Sequence, residues 1–246
     1  MKVLGIDTST ILLSAAVLDD SRLVAERTRK LLQVKGRRSG RSDHAEAIIP
    51  LIEDVLGHVV VDFSGLSLLG VAVGPGSFTG LRIGISTAKG LVYGLDTPVV
   101  GVRTLEASAF RVPAGDGVNF ICPLMDARKG EVYGALYRRT ATTFECLIED
   151  SVAAPETLVR QVSAMATGPC IFVGTGASAY AELIARCTGR RALVTDGTAF
   201  PTTAFAVARI AEERFRASPD KSTTPLTPYY IRSPDAVAGG GHNALR

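Results

Sequence analysis

Three opening segments, KVLGID, LLSAAVL and RLVAERT, set apolar residues against small or polar ones and are separated by short polar turns at Thr8 to Thr10 and at Asp19 and Asp20. That pattern predicts a three-stranded meander. The period then changes. In DHAEAIIPLIEDVLG the residues Ala45, Ile48, Ile49, Ile52, Val55 and Leu56 recur every three or four positions, which predicts a helix over 43–57. Asp43 with Glu46 reads as its capping box, and Pro50 removes a backbone donor and is expected to kink or split it. LLGVAV predicts a strand, followed by the turn GPGSF, a helix over 79–93, the strand TPVVGV and a short helix near Leu105 to Phe110.

The second half repeats this order. NFICPLMD ends in an Asp as KVLGID does; EVYGALYRR and TTFECLI read as two more strands, PETLVRQVSAM as a helix and CIFV as a strand, and GTGASAYAELIARC as a glycine turn opening a helix. The turns in VAVGPGS and IFVGTGA fall at matching places. The inference is an α/β chain of duplicated βββαβα units, with one lobe over 1–112, a second over 113–234 and a loose tail over 235–246 that lacks periodicity.

Composition changes little in this picture. The chain has 246 residues, 46% hydrophobic and 21% charged, with a formal charge of +3, too small to argue for nucleic acid. The first residues begin a strand with no apolar leader, and no apolar run reaches the roughly 20 residues needed to span a bilayer, so a cytoplasmic protein with no membrane contact is expected. Cys122, Cys146, Cys170 and Cys187 form no C-x-x-C pair and read as free thiols. No metal or cofactor is expected: four residues after His44 stands Ile48, so the helix carries no histidine pair, and Ser77 does not lie in a nucleophile elbow.

The duplicated order would place Asp7 and Asp126 across a cleft from one another. Actin-like ATPases and sugar kinases hold a magnesium-nucleotide with two such carboxylates, and place a glycine two residues after the Asp so that backbone amides approach the phosphate. Here Ser9 and Arg128 fill those places, although Ser9 and Thr10 still offer hydroxyls, and Gly174 and Gly176 resemble an adenosine-side turn. Both a working and a vestigial cleft fit these residues. GPGSFTGLRIG satisfies neither a Walker loop, since Leu81 and Arg82 follow Gly80, nor a dinucleotide fingerprint, since Thr79 holds the sixth place.

In the helix that this stretch opens, Gly80, Gly84 and Ala88 recur every fourth residue, and each interior glycine costs about 1 kcal/mol against alanine. Such a stripe predicts a groove that another helix enters closely, or one that packs only on the chain's own sheet or on the 43–57 helix. The segment RTRKLLQVKGRRSGR, from Arg27 to Arg41, is basic throughout and reads either as a solvated loop tip or as a contact for RNA phosphates.

Read together, GIDTST, HAEAIIPLI, VGPGSFTGLRIG with STAKGL, MDARKGEVYGALY and PYYIRSP resemble, in order across about 230 residues, the TsaB (YeaZ) family. The resemblance implies the actin-like, Hsp70-like (ASKHA) ATPase fold and a non-catalytic subunit of the bacterial machinery that makes threonylcarbamoyladenosine beside the tRNA anticodon. It implies heterodimerisation with TsaD, which transfers the group, the ATPase TsaE in a ternary complex, tRNA met through that complex, and homodimers where TsaD is absent. TsaD carries two metal-binding histidines, of which this chain keeps only His44. The implied partner interface combines His44, Ile48, Leu51, Ile52 and Val55 with Phe78, Gly80, Leu81, Arg82, Gly84, Ile85 and Ala88. The rival reading is an independent actin-like ATPase or small-molecule kinase using Asp7, Thr10, Asp126 and the 174–177 turn.

Overall fold

A computed structural model describes residues 1–31, 41–59, 62–113, 117–140, 144–195, 203–219 and 226–232. The tail 235–246, most of the basic segment and the side chain of Asp43 lie outside the described residues.

The first sheet takes β1 (Lys2–Asp7), β2 (Leu12–Asp19), β3 (Arg22–Lys30), β4 (Leu68–Gly74) and β5 (Val99–Arg103) in the order β3-β2-β1-β4-β5. The meander β1-β2-β3 is antiparallel, and β4 and β5 run parallel to β1. The second sheet takes β6 (Phe120–Arg128), β7 (Glu131–Arg139), β8 (Phe144–Ala153), β9 (Cys170–Val173) and β10 (Ala192–Val194) in the order β10-β9-β6-β7-β8. Read from the opposite edge, its order and strand directions are those of the first sheet. The duplication read from the sequence is thus a duplication of topology.

Helices cover both faces of each sheet. On the outer face of the first, α1 (Arg41–Gly57) and α2 (Phe78–Leu91) bury Ile48, Ile52, Val55, Ile85 and Ala88 against Leu4, Ile6, Val17 and Val71. α1 runs unbroken through Pro50, so the helix is not split there, and Pro50 is exposed on it. On the outer face of the second sheet, α4 (Pro155–Met165) and α6 (Ala181–Thr188) supply Leu158, Val162 and Ile184. The expected single helix after the second glycine turn is two, α5 (Thr175–Ala179) and α6, divided at Tyr180.

The inner faces are covered crosswise. α3 (Thr104–Phe110), which closes the first half, packs Leu105 and Ala109 against Ile121, Ala135, Tyr137 and Val173 of the second sheet. α7 (Ala204–Ala217), absent from the sequence reading, packs Val207, Ile210 and Ala211 against Val3, Leu68, Ala72, Val100 and Val102 of the first. The span 113–234 expected for the second lobe therefore includes a helix that lies on the first sheet.

The seam is also polar. Arg139 of β7 donates to the carbonyls of Ala109 (3.3 Å), Phe110 (2.7 Å) and Val112, the open end of α3, with its guanidinium over the Phe110 and Phe144 rings. A cation at a helix C-terminus meets both the unpaired carbonyls and the negative end of the helix dipole.

Candidate functional site

The ends of β1 and β6 carry the two expected aspartates in the same local geometry. Asp7 Oδ1 accepts from the Ser9 amide at 2.7 Å, and Asp126 Oδ1 from the Arg128 amide at 2.8 Å, so each carboxylate closes a two-residue turn. Their surroundings differ. Asp126 is exposed, and its amide donates to Thr175 Oγ1 at 3.1 Å; in the turn that follows, Arg128 and Lys129 take φ of 61° and 54°.

Asp7 is 3% exposed, and its second oxygen accepts from the hydroxyl of Thr203, the residue before α7. Burial raises its carboxyl above the ordinary range, against the lowering effect of the Thr203 and Ser9 hydrogen bonds. A carboxylate meant to reach a magnesium ion keeps an oxygen toward the cleft. Here one oxygen is taken by Ser9 and the other by Thr203.

The neighbouring backbone is likewise committed inside the chain. The Ser9 carbonyl accepts from the Ser77 amide at 2.7 Å, and Thr8 Oγ1 donates to the Gly80 carbonyl at 2.7 Å. Thr10 Oγ1 accepts from the Leu12 amide at 3.0 Å. A Cβ at Gly174 or Gly176 would meet the Leu124 backbone, at 2.5 and 3.0 Å, so this turn is packed on β6.

The glycine stripe of α2 also faces inward, against the chain itself rather than toward a partner. A Cβ on Gly80 would stand 2.1 Å from the Thr8 carbonyl oxygen, and one on Gly84 2.2 Å from Thr8 Oγ1. The close approach is made by the turn after β1, and that contact compensates the glycine cost. Of the twelve residues expected at a partner interface, Gly80, Leu81, Gly84, Ile85, Ala88, Ile48, Ile52 and Val55 are buried within the chain itself. His44, Leu51 and Phe78 are half-buried and Arg82 is exposed. Ile49 and Ile83 are half-buried and pack against the core beneath the same helices, and Tyr93 just beyond α2 is 90% exposed.

A strap over 226–232, unused by the sequence reading except as part of a motif, crosses this region. Leu226 packs against the α1-α2 core, and the Tyr229 amide donates to the Val73 carbonyl at 2.7 Å. The Tyr230 ring stacks on Phe78 at 4.9 Å, and Tyr230 Oη accepts from Arg82 Nε at 3.0 Å while the Arg82 guanidinium lies 3.9 Å over Phe78. Arg232 donates to the Ala127 carbonyl at 3.1 Å and to Glu131, both beside the β6-β7 turn.

At the seam, Asp150 of β8 is 8% exposed, and burial pushes its carboxyl up to about 6 against the attraction of Arg103. Tyr137 Oη donates to its Oδ1 at 3.4 Å, while Oδ2 has no hydrogen-bond partner among the described residues. Arg103 pairs with Glu149 and lies 4.6 Å over the Tyr229 ring. Among the described residues no group of three or more His, Cys, Asp or Glu could hold a metal ion, and no helix is long and apolar enough to cross a membrane.

Two lobes of this topology with crossed inner helices define the actin-like ATPase fold, which the ROK hexokinase from Thermus thermophilus shares with a TM-score of 0.51, 16% identity, 88% of this chain and 100% of that one. Residues 38–237 match the family described as TsaD: tRNA N6-adenosine threonylcarbamoyltransferase, and the chain belongs to that family. Within it, the chain is 29% identical to the tRNA threonylcarbamoyladenosine biosynthesis protein TsaB of Escherichia coli over 95% of both chains. It is 29% identical to the protein of the same name from Bacillus subtilis over 97% of both. YeaZ from Pseudomonas aeruginosa superposes with a TM-score of 0.75 at 25% identity, covering 93% of this chain and 99% of that one. The resemblance to the TsaB (YeaZ) family read from GPGSFTGLRIG and its companion motifs holds along the chain.

Proposed function

We propose that this chain serves threonylcarbamoyladenosine synthesis in tRNA as a non-catalytic partner of a TsaD-type transferase, with TsaE as a third member and tRNA met through the assembly. The observation that carries the non-catalytic part is Asp7: its carboxylate is buried and both oxygens are taken, by the Ser9 amide and by Thr203. The names of the full-length relatives support the pathway.

The docking surface in this reading is the outward side of α1 and α2, with His44, Leu51, Phe78 and Arg82 among its residues. The buried members of the expected interface act beneath it, holding the two helices on the sheet. A partner of the same fold presents equivalent helices, so the contact is pseudo-symmetric and a second copy of this chain occupies it when the enzyme is absent.

Co-expression of this chain with the TsaD-type enzyme of the same cell, followed by size-exclusion chromatography with mass determination, tests the reading. A one-to-one complex that Tyr93→Asp or Arg82→Glu disrupts without lowering the melting temperature is expected. A wild-type chain that elutes alone in the enzyme's presence would overturn it.

A further inference from the structure

The Phe78–Arg82–Tyr230 stack joins residues 148 and more positions apart in the chain. Phe78 and Arg82 are one helical turn apart at the start of α2, but Tyr230 comes from the strap, which is fixed to the first lobe by the Tyr229 amide and to the second by Arg232. Within α2 the Arg82 guanidinium already lies over Phe78, and the Tyr230 hydroxyl and ring hold the pair from outside the helix.

We infer that residues 226–232 form a latch that presents Phe78, Arg82 and Tyr230 as one preorganised anchor for the partner enzyme, set in place by the grip of Arg232 on the β6-β7 turn. This rests on the docking reading above and extends it to the strap. The anchor is of the kind that dominates interface energetics: two aromatic rings and an arginine, which bury large area with little ordering left to do on binding. Arg82 gives its Nε to Tyr230, and its two terminal nitrogens have no hydrogen-bond partner among the described residues. They suit a carboxylate on the partner, held as a fork.

The anchor continues the surface already assigned. From Phe78 and Arg82 the outward side of α2 runs through Ser86 and Lys89 to Tyr93, so the occupant committed to here is the enzyme of the matched family, docked helix face to helix face. The latch also makes that surface depend on the second lobe. A change at Glu131 or Ala127 reaches Phe78 through Arg232 and Tyr230 and through no other described contact of the strap with that turn.

The test measures affinity for the purified TsaD-type enzyme by calorimetry, with amide hydrogen exchange on the free chain, for wild type, Arg232→Ala, Tyr230→Ala and Tyr230→Phe. Arg232→Ala is expected to speed exchange at Tyr229 and to weaken binding about tenfold, or about 1.4 kcal/mol. Tyr230→Ala should do at least as much. Tyr230→Phe keeps the ring stack, removes only the acceptor for Arg82, and should lose a few-fold while folding as wild type does. If the wild-type chain binds and all three variants bind equally well, the latch is overturned while the docking reading stands. If the wild-type chain does not bind the enzyme, the docking reading falls and the latch falls with it.

Discussion

The Thr203 hydroxyl donates to Oδ2 of Asp7, tying the residue before the second crossing helix to the end of the first strand, 196 positions earlier. In a nucleotide-binding member of this fold such a carboxylate faces a metal; in this chain it closes a contact between β1 and α7. Asp7→Asn keeps the acceptor for the Ser9 amide and brings an NH2 group to the Thr203 oxygen. It is expected to leave the melting temperature at or above the wild-type value at pH 8. The sign follows from the raised carboxyl: the stability that Asp7 adds is full below its unfolded value near 3.8 and is lost as pH rises through the folded value. Asp7→Ala removes both bonds and is expected to destabilise by about 3 kcal/mol in chemical unfolding.

Gly84 has Thr8 Oγ1 where its Cβ would go, 2.2 Å away. Gly84→Ala gains helix propensity of about 1 kcal/mol but forces the β1-β2 turn off α2. The net expectation is a loss of about 1–3 kcal/mol in urea unfolding and no separate effect on docking once folded protein is compared with folded protein. A loss of partner binding with unchanged stability would show that the stripe faces outward.

Asp150 is a seam carboxylate with one oxygen unpartnered among the described residues. Its raised carboxyl, at about 6, means that the stability it contributes is complete below about pH 4 and gone above about pH 6. Arg103, Glu149, Glu106 and Tyr137 are the charged and titratable groups that act on it. Asp150→Asn, neutral throughout, should therefore match the wild type near pH 4 and exceed it by up to about 3 kcal/mol at pH 8. Melting curves across that range decide the sign.

Arg139 satisfies the carbonyls that end α3 and is shielded by Phe110 and Phe144. Arg139→Met fills similar space without donors and removes the side-chain partner of the Phe110 and Val112 carbonyls at the seam, while the Ala109 carbonyl keeps the Val112 amide. A destabilisation of about 1–3 kcal/mol is expected, with faster hydrogen exchange in α3, because each buried unmet polar group costs about that much.

Most elements were legible in the sequence because the hydrophobic period changes cleanly between them. PETLVRQVSAM and EVYGALYRR coincide with α4 and β7, and KVLGID with β1. α7 escaped because the duplicated order already seemed complete before it. Its signal was available in Val207, Ile210 and Ala211 at helical spacing, diluted by small alanines that look weakly hydrophobic yet permit close packing on the sheet. Without α7, Thr203 had no reason to be paired with Asp7, and the working and vestigial clefts could not be told apart.

The Gly80–Gly84 stripe illustrates a different limit. Small residues four apart show that something approaches closely, but one strand of sequence does not say whether the visitor is another chain or the chain's own turn; here it is Thr8. Phe78 is half-buried and Arg82 exposed, and Tyr230, far away in sequence, is visible as their neighbour only in the fold.

Threonylcarbamoyl transfer to tRNA by the TsaD-type enzyme, measured with no added chain, with wild type and with Asp7→Asn, alongside ATP hydrolysis by the isolated chain, separates a partner subunit from an enzyme. Transfer that requires the chain and is the same with Asp7→Asn is the predicted result. Transfer that Asp7→Asn abolishes, together with magnesium-dependent ATP hydrolysis by the wild-type chain alone, would contradict it and make the cleft between the lobes the working site.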